Sequence, residues 1–121
     1  MSQENRLEKT NRINLLFDFY EQLLTEKQQM FLKYYFHDDY SLGEIAAEFS
    51  ISRQAVYEHI KRAEQVLEMY EDKLGLMDKH YRRSRDLDKL KQQLLDSKLG
   101  QEHESKLLDM LEQLEQIDRI D

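Results

Sequence analysis

Apolar side chains recur every three or four positions through most of this chain, the spacing of helices that bury one face. The first such stripe predicts a helix from about Leu7 to Leu24. Its inward positions are Ile13, Leu16, Phe17, Tyr20 and Leu24. Further apolar residues widen the stripe, so this helix is expected to contact neighbours on more than one side. These are Leu15, Phe19 and Leu23.

A second helix is predicted from Glu26 to about Phe36. Thr25 precedes it and Gln28 follows three residues later, the spacing of a capping box that satisfies free amides at a helix start. The inward candidates are Met30, Phe31, Tyr34 and Tyr35. The polar run at residues 37–39 then ends the helix, since aspartate side chains compete for backbone hydrogen bonds.

Residues 42–61, LGEIAAEFSISRQAVYEHIK, predict two helices joined by a tight turn. Ser41 and Glu44 repeat the capping-box spacing, and Ser52 caps the helix after the turn. That helix continues to Leu74, because Gly75 can adopt the left-handed conformation that ends helices. The predicted inward positions are Ile45, Ala46, Phe49, Ile51, Val56, Ile60, Ala63, Leu67 and Tyr70. This is the pattern of a helix-turn-helix.

The composition changes after Gly75. A helix from about Met77 to Leu95 aligns Leu87, Leu90 and Leu94, and a last helix follows a turn at Gly100. The last stripe comprises Leu107, Met110 or Leu111, Leu114 and Ile117. We therefore expect a domain over residues 1–75 and a two-helix arm over residues 76–121. Two helices have too few layers to bury both stripes, so a homodimer is expected to complete the core.

Composition supports an all-α protein. The 121 residues include no proline and three glycines, so few residues interrupt helices. Cysteine is absent, which excludes disulfides and thiolate metal sites. No apolar run is long enough to span a membrane, and the polar N-terminus lacks a signal-peptide core, so a cytoplasmic location is expected.

Charge argues against broad, nonspecific binding of nucleic acid. The chain has a net charge of −7, and residues 25–74 alone carry six basic and ten acidic side chains. Contacts with phosphates supply most of the nonspecific affinity for nucleic acid, and a net negative charge on the protein weakens them. A focused basic surface is nevertheless compatible with this net charge.

Several short motifs give the chain a specific resemblance. The matching features are Leu24–Thr25, the YYF segment at 34–36, EIA at 44–46, IS at 51–52 and RA at 62–63. They resemble region 4 of bacterial sigma factors, and the whole chain resembles the YlxM-like family of small helix-turn-helix proteins. This resemblance implies an all-α, sigma region 4-like or winged-helix-like DNA-binding fold with a C-terminal arm. It also implies a link to the signal recognition particle, beside whose genes such proteins are encoded.

The helix after the turn carries the candidate nucleic-acid-binding residues. These are Ser52, Arg53, Gln54, Tyr57, Lys61 and Arg62. In a helix-turn-helix this helix enters the major groove, where arginine can pair with guanine and glutamine with adenine. The alternative is that the set forms only a solvated helix face. Glu58 and Glu64 favour that alternative, because carboxylates repel phosphates.

A second basic patch comprises Lys79, Arg82, Arg83 and Arg85. It can bind phosphates of DNA or RNA, or pair with the acidic last helix, which we favour. An adaptor that uses this patch on the protein or RNA of the signal recognition particle is therefore the alternative to a DNA-binding regulator of transcription.

Nothing in the sequence indicates catalysis. The polar cluster at 37–40 and His59 lack the spacing of metal ligands, and no phosphate-binding loop or nucleophile motif is present. We expect no metal, no cofactor and no enzymatic activity.

Overall fold

The computed structural model describes residues 3–117, with side chains from residue 5 onward. Over this range the chain forms six α-helices and no strand. The helices are α1 (Gln3–Tyr20), α2 (Glu26–Leu32), α3 (Leu42–Phe49), α4 (Arg53–Leu74), α5 (Leu76–Asp96) and α6 (Gln101–Ile117). Two compact units meet in the sequence between Gly75 and Leu76.

The N-terminal unit is organised around α4, against which α1, α2 and α3 all pack. Burial is complete at the centre of this arrangement. The largest fully buried side chains are Leu16, Tyr20, Phe31, Leu32, Ile45, Val56 and Leu67. The all-α helix-turn-helix fold with a two-helix C-terminal arm is thereby confirmed, and the predicted stripe of α1 is buried from Ile13 to Leu24.

The helix starts follow from the predicted caps. The Thr25 hydroxyl accepts from the amide of Gln28 at 3.2 Å, and the Gln28 side chain accepts from the amide of Thr25 at 2.9 Å. Ser41 and Glu44 make the same reciprocal pair at α3. Gly75 ends α4 at a φ of 62°, as predicted. Each cap supplies a hydrogen-bond partner to a backbone amide or carbonyl that has none within the first or last turn of the helix.

Three predicted helix bounds were wrong, the first being the start of α1, which lies at Gln3 and not near Leu7. Helix α1 ends at Tyr20, and a 3₁₀ turn over Glu21–Leu23 leads to Leu24, which is still buried. Helix α2 ends at Leu32, and Lys33–His37 continue as a π-helix. The wider π turn is closed by the amide of Asp38, which donates to the carbonyl of Lys33 at 3.0 Å.

The turn between α3 and α4 has a left-handed residue where a glycine is common. Ser50 stands there with a φ of 55°, and its amide donates to the carbonyl of Ala46. Ile51 follows and is half-buried, so the prediction that it plugs into the core holds only in part. Ser52 then starts α4, with its hydroxyl accepting from the amide of Ala55 at 3.1 Å. The turn therefore fixes the direction in which α4 leaves α3.

The C-terminal unit is a pair of helices, α5 and α6, that pack against each other. Leu94 and Leu111 are buried, which settles the choice between Met110 and Leu111. Most of the predicted stripe is nevertheless exposed, because two helices cover only one shared line. The exposed residues are Leu90, Leu107, Leu114 and Ile117. Within residues 3–117, no helix combines the length and apolarity that crossing a bilayer requires.

Candidate nucleic-acid interface

Two parallel rows of side chains cover the exposed face of α4. Residues four apart in a helix lie on one line, so Arg53, Tyr57 and Lys61 form the first row. Gln54, Glu58 and Arg62 form the second row by the same spacing. Five of the six predicted binding residues therefore lie in two adjacent lines that begin at the first turn of α4. The sixth, Ser52, caps the helix at their start.

The first row is rich in cations and contains one aromatic ring. Arg53 is exposed at the first position of α4, and its guanidinium lies against Gly43 of α3. The Tyr57 side chain is 45% exposed, and the Lys61 ammonium lies 5.6 Å from the centroid of its ring. That distance is within reach of a cation–π contact. The row thus presents one cation on each side of an accessible ring.

The second row is neutralised by its own carboxylate. The Glu58 side chain accepts from the Gln54 amide at 3.4 Å and lies 3.8 Å from an Arg62 nitrogen. Both contacts join exposed side chains, so water and salt weaken them. Gln54 and Arg62 are consequently positioned beside a negative charge, whereas Arg53 and Tyr57 are not bonded to one in the described contacts. The first row is the better surface for an anion.

The end of the first row meets a charge cluster that the sequence analysis missed. Glu64 is only 8% exposed, and its Oε2 atom lies 3.4 Å from the Lys9 ammonium and 3.6 Å from that of Lys61. Lys9 comes from α1, so the cluster joins the two helices. A signal was present in the sequence: Lys9 precedes Ile13 by four residues and Glu64 follows Ile60 by four. Both therefore continue buried stripes, where a charged residue needs a partner.

The closeness of the two lysines changes the pKa of the Lys9 ammonium. The neighbouring Lys61 side chain and partial burial lower the pKa of Lys9, while the Glu64 carboxylate acts in the opposite direction. Two cations share one carboxylate, so the cluster retains a net positive charge when both are protonated. This positive charge lies on the row that also carries Tyr57.

Helix α4 is clamped to α1 by further polar contacts. The Arg12 guanidinium makes two hydrogen bonds of 2.7 Å to the Glu68 carboxylate, and these raise the pKa of Arg12. The Tyr20 hydroxyl donates to Glu71 at 2.6 Å, and Tyr20 is fully buried. These contacts hold the helix that carries both rows at a fixed position on the domain.

The basic patch of the arm is also exposed. Lys79, Arg82 and Arg83 share one side of α5 by their three- and four-residue spacing, and Arg85 is exposed as well. Arg82 lies 3.6 Å from Asp78 of the same helix, and Arg83 donates to the carbonyl of Lys79 at 3.4 Å. The four cations therefore form an accessible surface on α5.

The remaining candidate groups have packing contacts. His37 lies against Phe17 with ring centroids 5.4 Å apart, and Tyr40 stacks on Tyr34 at 5.1 Å. His59 stacks on Phe31 at 4.8 Å. Throughout the part of the chain that the structure describes, no three histidine or acidic side chains converge as metal ligands.

Known proteins that resemble the chain cover nearly all of it. A family model described as "Putative helix-turn-helix protein, YlxM / p13 like" matches residues 7–111. A UPF0122 protein of Listeria innocua is 53% identical over 111 residues, which is 92% of this chain and 98% of the relative. A UPF0122 protein of Bacillus mycoides is 51% identical over 109 residues, which is 90% of this chain and 99% of the relative. The chain therefore belongs to the UPF0122 family of YlxM / p13-like helix-turn-helix proteins.

Proposed function

We propose that this protein is a DNA-binding regulator of transcription that reads its site with the first row of α4. The observation that carries the proposal is the alignment of Arg53, Tyr57 and Lys61 from the first turn of the helix, with Arg53 and Tyr57 exposed and Lys61 half-buried. The first turns of this helix are the part of the motif that meets base edges. Regulation would result from occupancy of a site, with no chemical step.

Each residue of the row has a distinct role in this proposal. The Arg53 guanidinium can donate two hydrogen bonds to the major-groove edge of guanine. Tyr57 can contact a thymine methyl or a phosphate, and Lys61 can hold a phosphate. Gln54 and Arg62 become available to adenine and phosphate when they release Glu58, while Ser52 directs the helix start. The net acidity of the domain makes binding depend on this focused set of contacts.

The test is an unbiased selection of double-stranded DNA from a random library at low salt, followed by titration of the enriched site. Arg53→Ala is expected to weaken specific binding by about 1–3 kcal/mol. Lys73→Ala is the matched control, since Lys73 is an exposed cation in the last turn of the same helix. Selection that enriches no sequence above background would refute the proposal.

We also infer that the arm forms a homodimer. The arm leaves a set of large apolar side chains exposed to water, and such patches usually mark an interface. The set comprises Leu90, Leu95, Leu99, Leu107, Met110, Leu114 and Ile117. A two-fold dimer suits a helix-turn-helix protein, because two reading helices can then bind two half-sites.

A second candidate function is supported by the accessible basic patch of α5. In that case the protein acts as an adaptor of the signal recognition particle pathway, and Lys79, Arg82, Arg83 and Arg85 bind the RNA or the protein of the particle. Titration with particle RNA and with particle protein tests it, using Arg82→Gln and Arg85→Gln together. If neither component binds at low salt, the adaptor function is refuted. If the double variant binds as tightly as the parent chain, the basic patch is not the binding surface.

A further inference from the structure

A cleft of about 590 Å³ opens beside the first row of α4. It lies within the N-terminal unit, between α1, the π-helical segment, the start of α3 and the middle of α4. Its volume falls in the range of about 300–1,000 Å³ that is usual for small-ligand sites. The predicted DNA contacts do not explain this cavity, although Tyr57 and Lys61 belong to both.

Three aromatic side chains line the cleft. Tyr57 comes from α4, and Tyr35 and Phe36 come from the π-helix. Neighbouring residues of an α-helix diverge, but here the rings of Tyr35 and Phe36 meet edge to face with centroids 5.0 Å apart. π-helical turns are often found at functional sites. The irregular segment thus delivers two adjacent rings to one cavity.

The charged side chains of the lining are three cations and one carboxylate. Arg6 and Lys9 come from α1, and Lys61 comes from α4. Glu64 contacts both lysines through one oxygen and is almost fully buried. The formal balance of these four groups is two positive charges. A ligand with an aromatic ring and about two negative charges would match both the rings and the charge.

We propose that this cleft binds a nucleoside monophosphate. Arg6, Lys9 and Lys61 hold the phosphate, which carries a charge of about −1.5 to −2 near neutral pH. The base stacks on an accessible ring of the lining, an interaction that tolerates any base. Glu64 can accept a hydrogen bond from a sugar hydroxyl or a base amino group. Leu42 and Ile60 supply an apolar floor beneath the sugar and base.

This inference goes beyond the proposed reading of DNA and does not depend on it. The two sites share Tyr57 and Lys61, so a bound nucleotide would occupy two of the three side chains of the first row. A nucleotide and a DNA site would consequently compete. The cleft would give a small molecule direct control over whether the first row is available.

The test is a titration of the full chain with adenosine monophosphate in the absence of DNA, followed by calorimetry and by amide chemical shifts. Adenosine supplies the ring without the charge, and inorganic phosphate supplies the charge without the ring. We expect one saturable site, tighter for the nucleotide than for either fragment, with shifts at Tyr35, Phe36 and Tyr57. Arg6→Gln is expected to weaken binding about tenfold, the loss of one charge-assisted hydrogen bond.

Lys73→Gln is the control for loss of one charge, since Lys73 is exposed on α4 and absent from the cleft lining. It should bind the nucleotide as the parent chain does. Phosphate binding as tight as the nucleotide would overturn the proposal, as would an unchanged affinity in Arg6→Gln. Binding of a single-stranded oligonucleotide without binding of the mononucleotide would also overturn it. None of these results depends on duplex DNA, so the reading of DNA is tested separately.

Discussion

The guanidinium of Arg53 lies against the backbone of Gly43, so that a methyl group at residue 43 would stand 3.0 Å from Nη2 and 3.1 Å from Nε. Because Gly43 of α3 has no side chain, the Arg53 side chain at the start of α4 can occupy this space. The Arg53 side chain is therefore accessible to a ligand, and its contact with α3 limits the directions in which it can point.

Gly43→Ala is expected to shift Arg53 without unfolding the domain. Alanine is the better helix former by about 0.8–1 kcal/mol, and the contact to be displaced is the end of a flexible side chain. Unfolding in urea should therefore give equal or greater stability, while affinity for the selected DNA site falls. The decisive control is Arg53→Ala, in which Gly43→Ala should cause no further loss. A full additional loss in that background would contradict the relationship.

Glu58→Gln is expected to strengthen DNA binding. The substitution removes a negative charge from the second row and releases Gln54 and Arg62. A charge near phosphates is worth on the order of 1 kcal/mol in a solvated setting, or about fivefold in affinity. Filter binding at two salt concentrations measures this, and the gain should shrink at higher salt because ions screen it. Glu112→Gln, an exposed position in α6, should change affinity little; an equal gain there would indicate only a net-charge effect.

The sequence predicted the parts of the fold that depend on local rules. Caps at Thr25, Ser41 and Ser52 and the terminator Gly75 act within a few residues, so their chemistry is visible in the order of residues. The six binding candidates also lie together, because their spacing along one helix fixes their geometry. Whether they bind nucleic acid stays a prediction.

The sequence did not predict features that depend on several helices at once. The π-helix at Lys33–His37 departs from the ordinary helical spacing on which the stripe was counted. The burial of Leu32, the last residue of the regular helix before it, was also missed. The shared contact of Lys9 and Lys61 with Glu64 requires knowing that α1 crosses α4 there. The cleft also depends on how several helices pack together, since its lining comes from four separate segments.

Tyr20→Phe is expected to destabilise the N-terminal unit by about 1.5–3 kcal/mol, the range for a hydrogen bond to a charged group. The Tyr20 hydroxyl is buried with its ring and donates to Glu71. Tyr70→Phe is the matched comparison, because its hydroxyl donates to the neutral, exposed carbonyl of Leu23 at 3.1 Å. Denaturant unfolding should show the larger loss for Tyr20→Phe. Equal losses would mean that the hydrogen bond to the carboxylate stabilises the unit no more than the hydrogen bond to a neutral carbonyl does.

The exposed leucines of α6 predict dimerisation that a pair of polar substitutions can weaken. Leu107→Gln combined with Leu114→Gln should turn a dimer into a monomer at micromolar concentration, since both side chains are exposed in the single chain. Helicity should change little in the monomer for the same reason. Sedimentation measures the masses, with Leu7→Gln as the control from α1, where leucine is also exposed. A parent chain that sediments as a monomer would refute the dimer.

His59 predicts a specific loss of stability in acid. Its ring is half-buried and lies nearly parallel to that of Phe31, with an angle of 8° between the two planes. Burial lowers the pKa of His59, and the nearby Lys27 and Arg62 lower it further, while Glu58 opposes them. The unfolded chain therefore takes up the proton first as the pH falls.

The contribution of neutral His59 is fully present above the unfolded pKa of about 6.5 and is lost as the pH falls through the lower folded value. His59→Phe keeps an aromatic ring against Phe31 and removes the titration. Urea unfolding at a series of pH values from neutral to acidic should therefore show a smaller loss of stability in this variant than in the parent chain. His103→Phe, at an exposed position of α6, should leave the acid loss unchanged. An identical pH dependence in His59→Phe and the parent would show that the stacked imidazole does not govern acid stability.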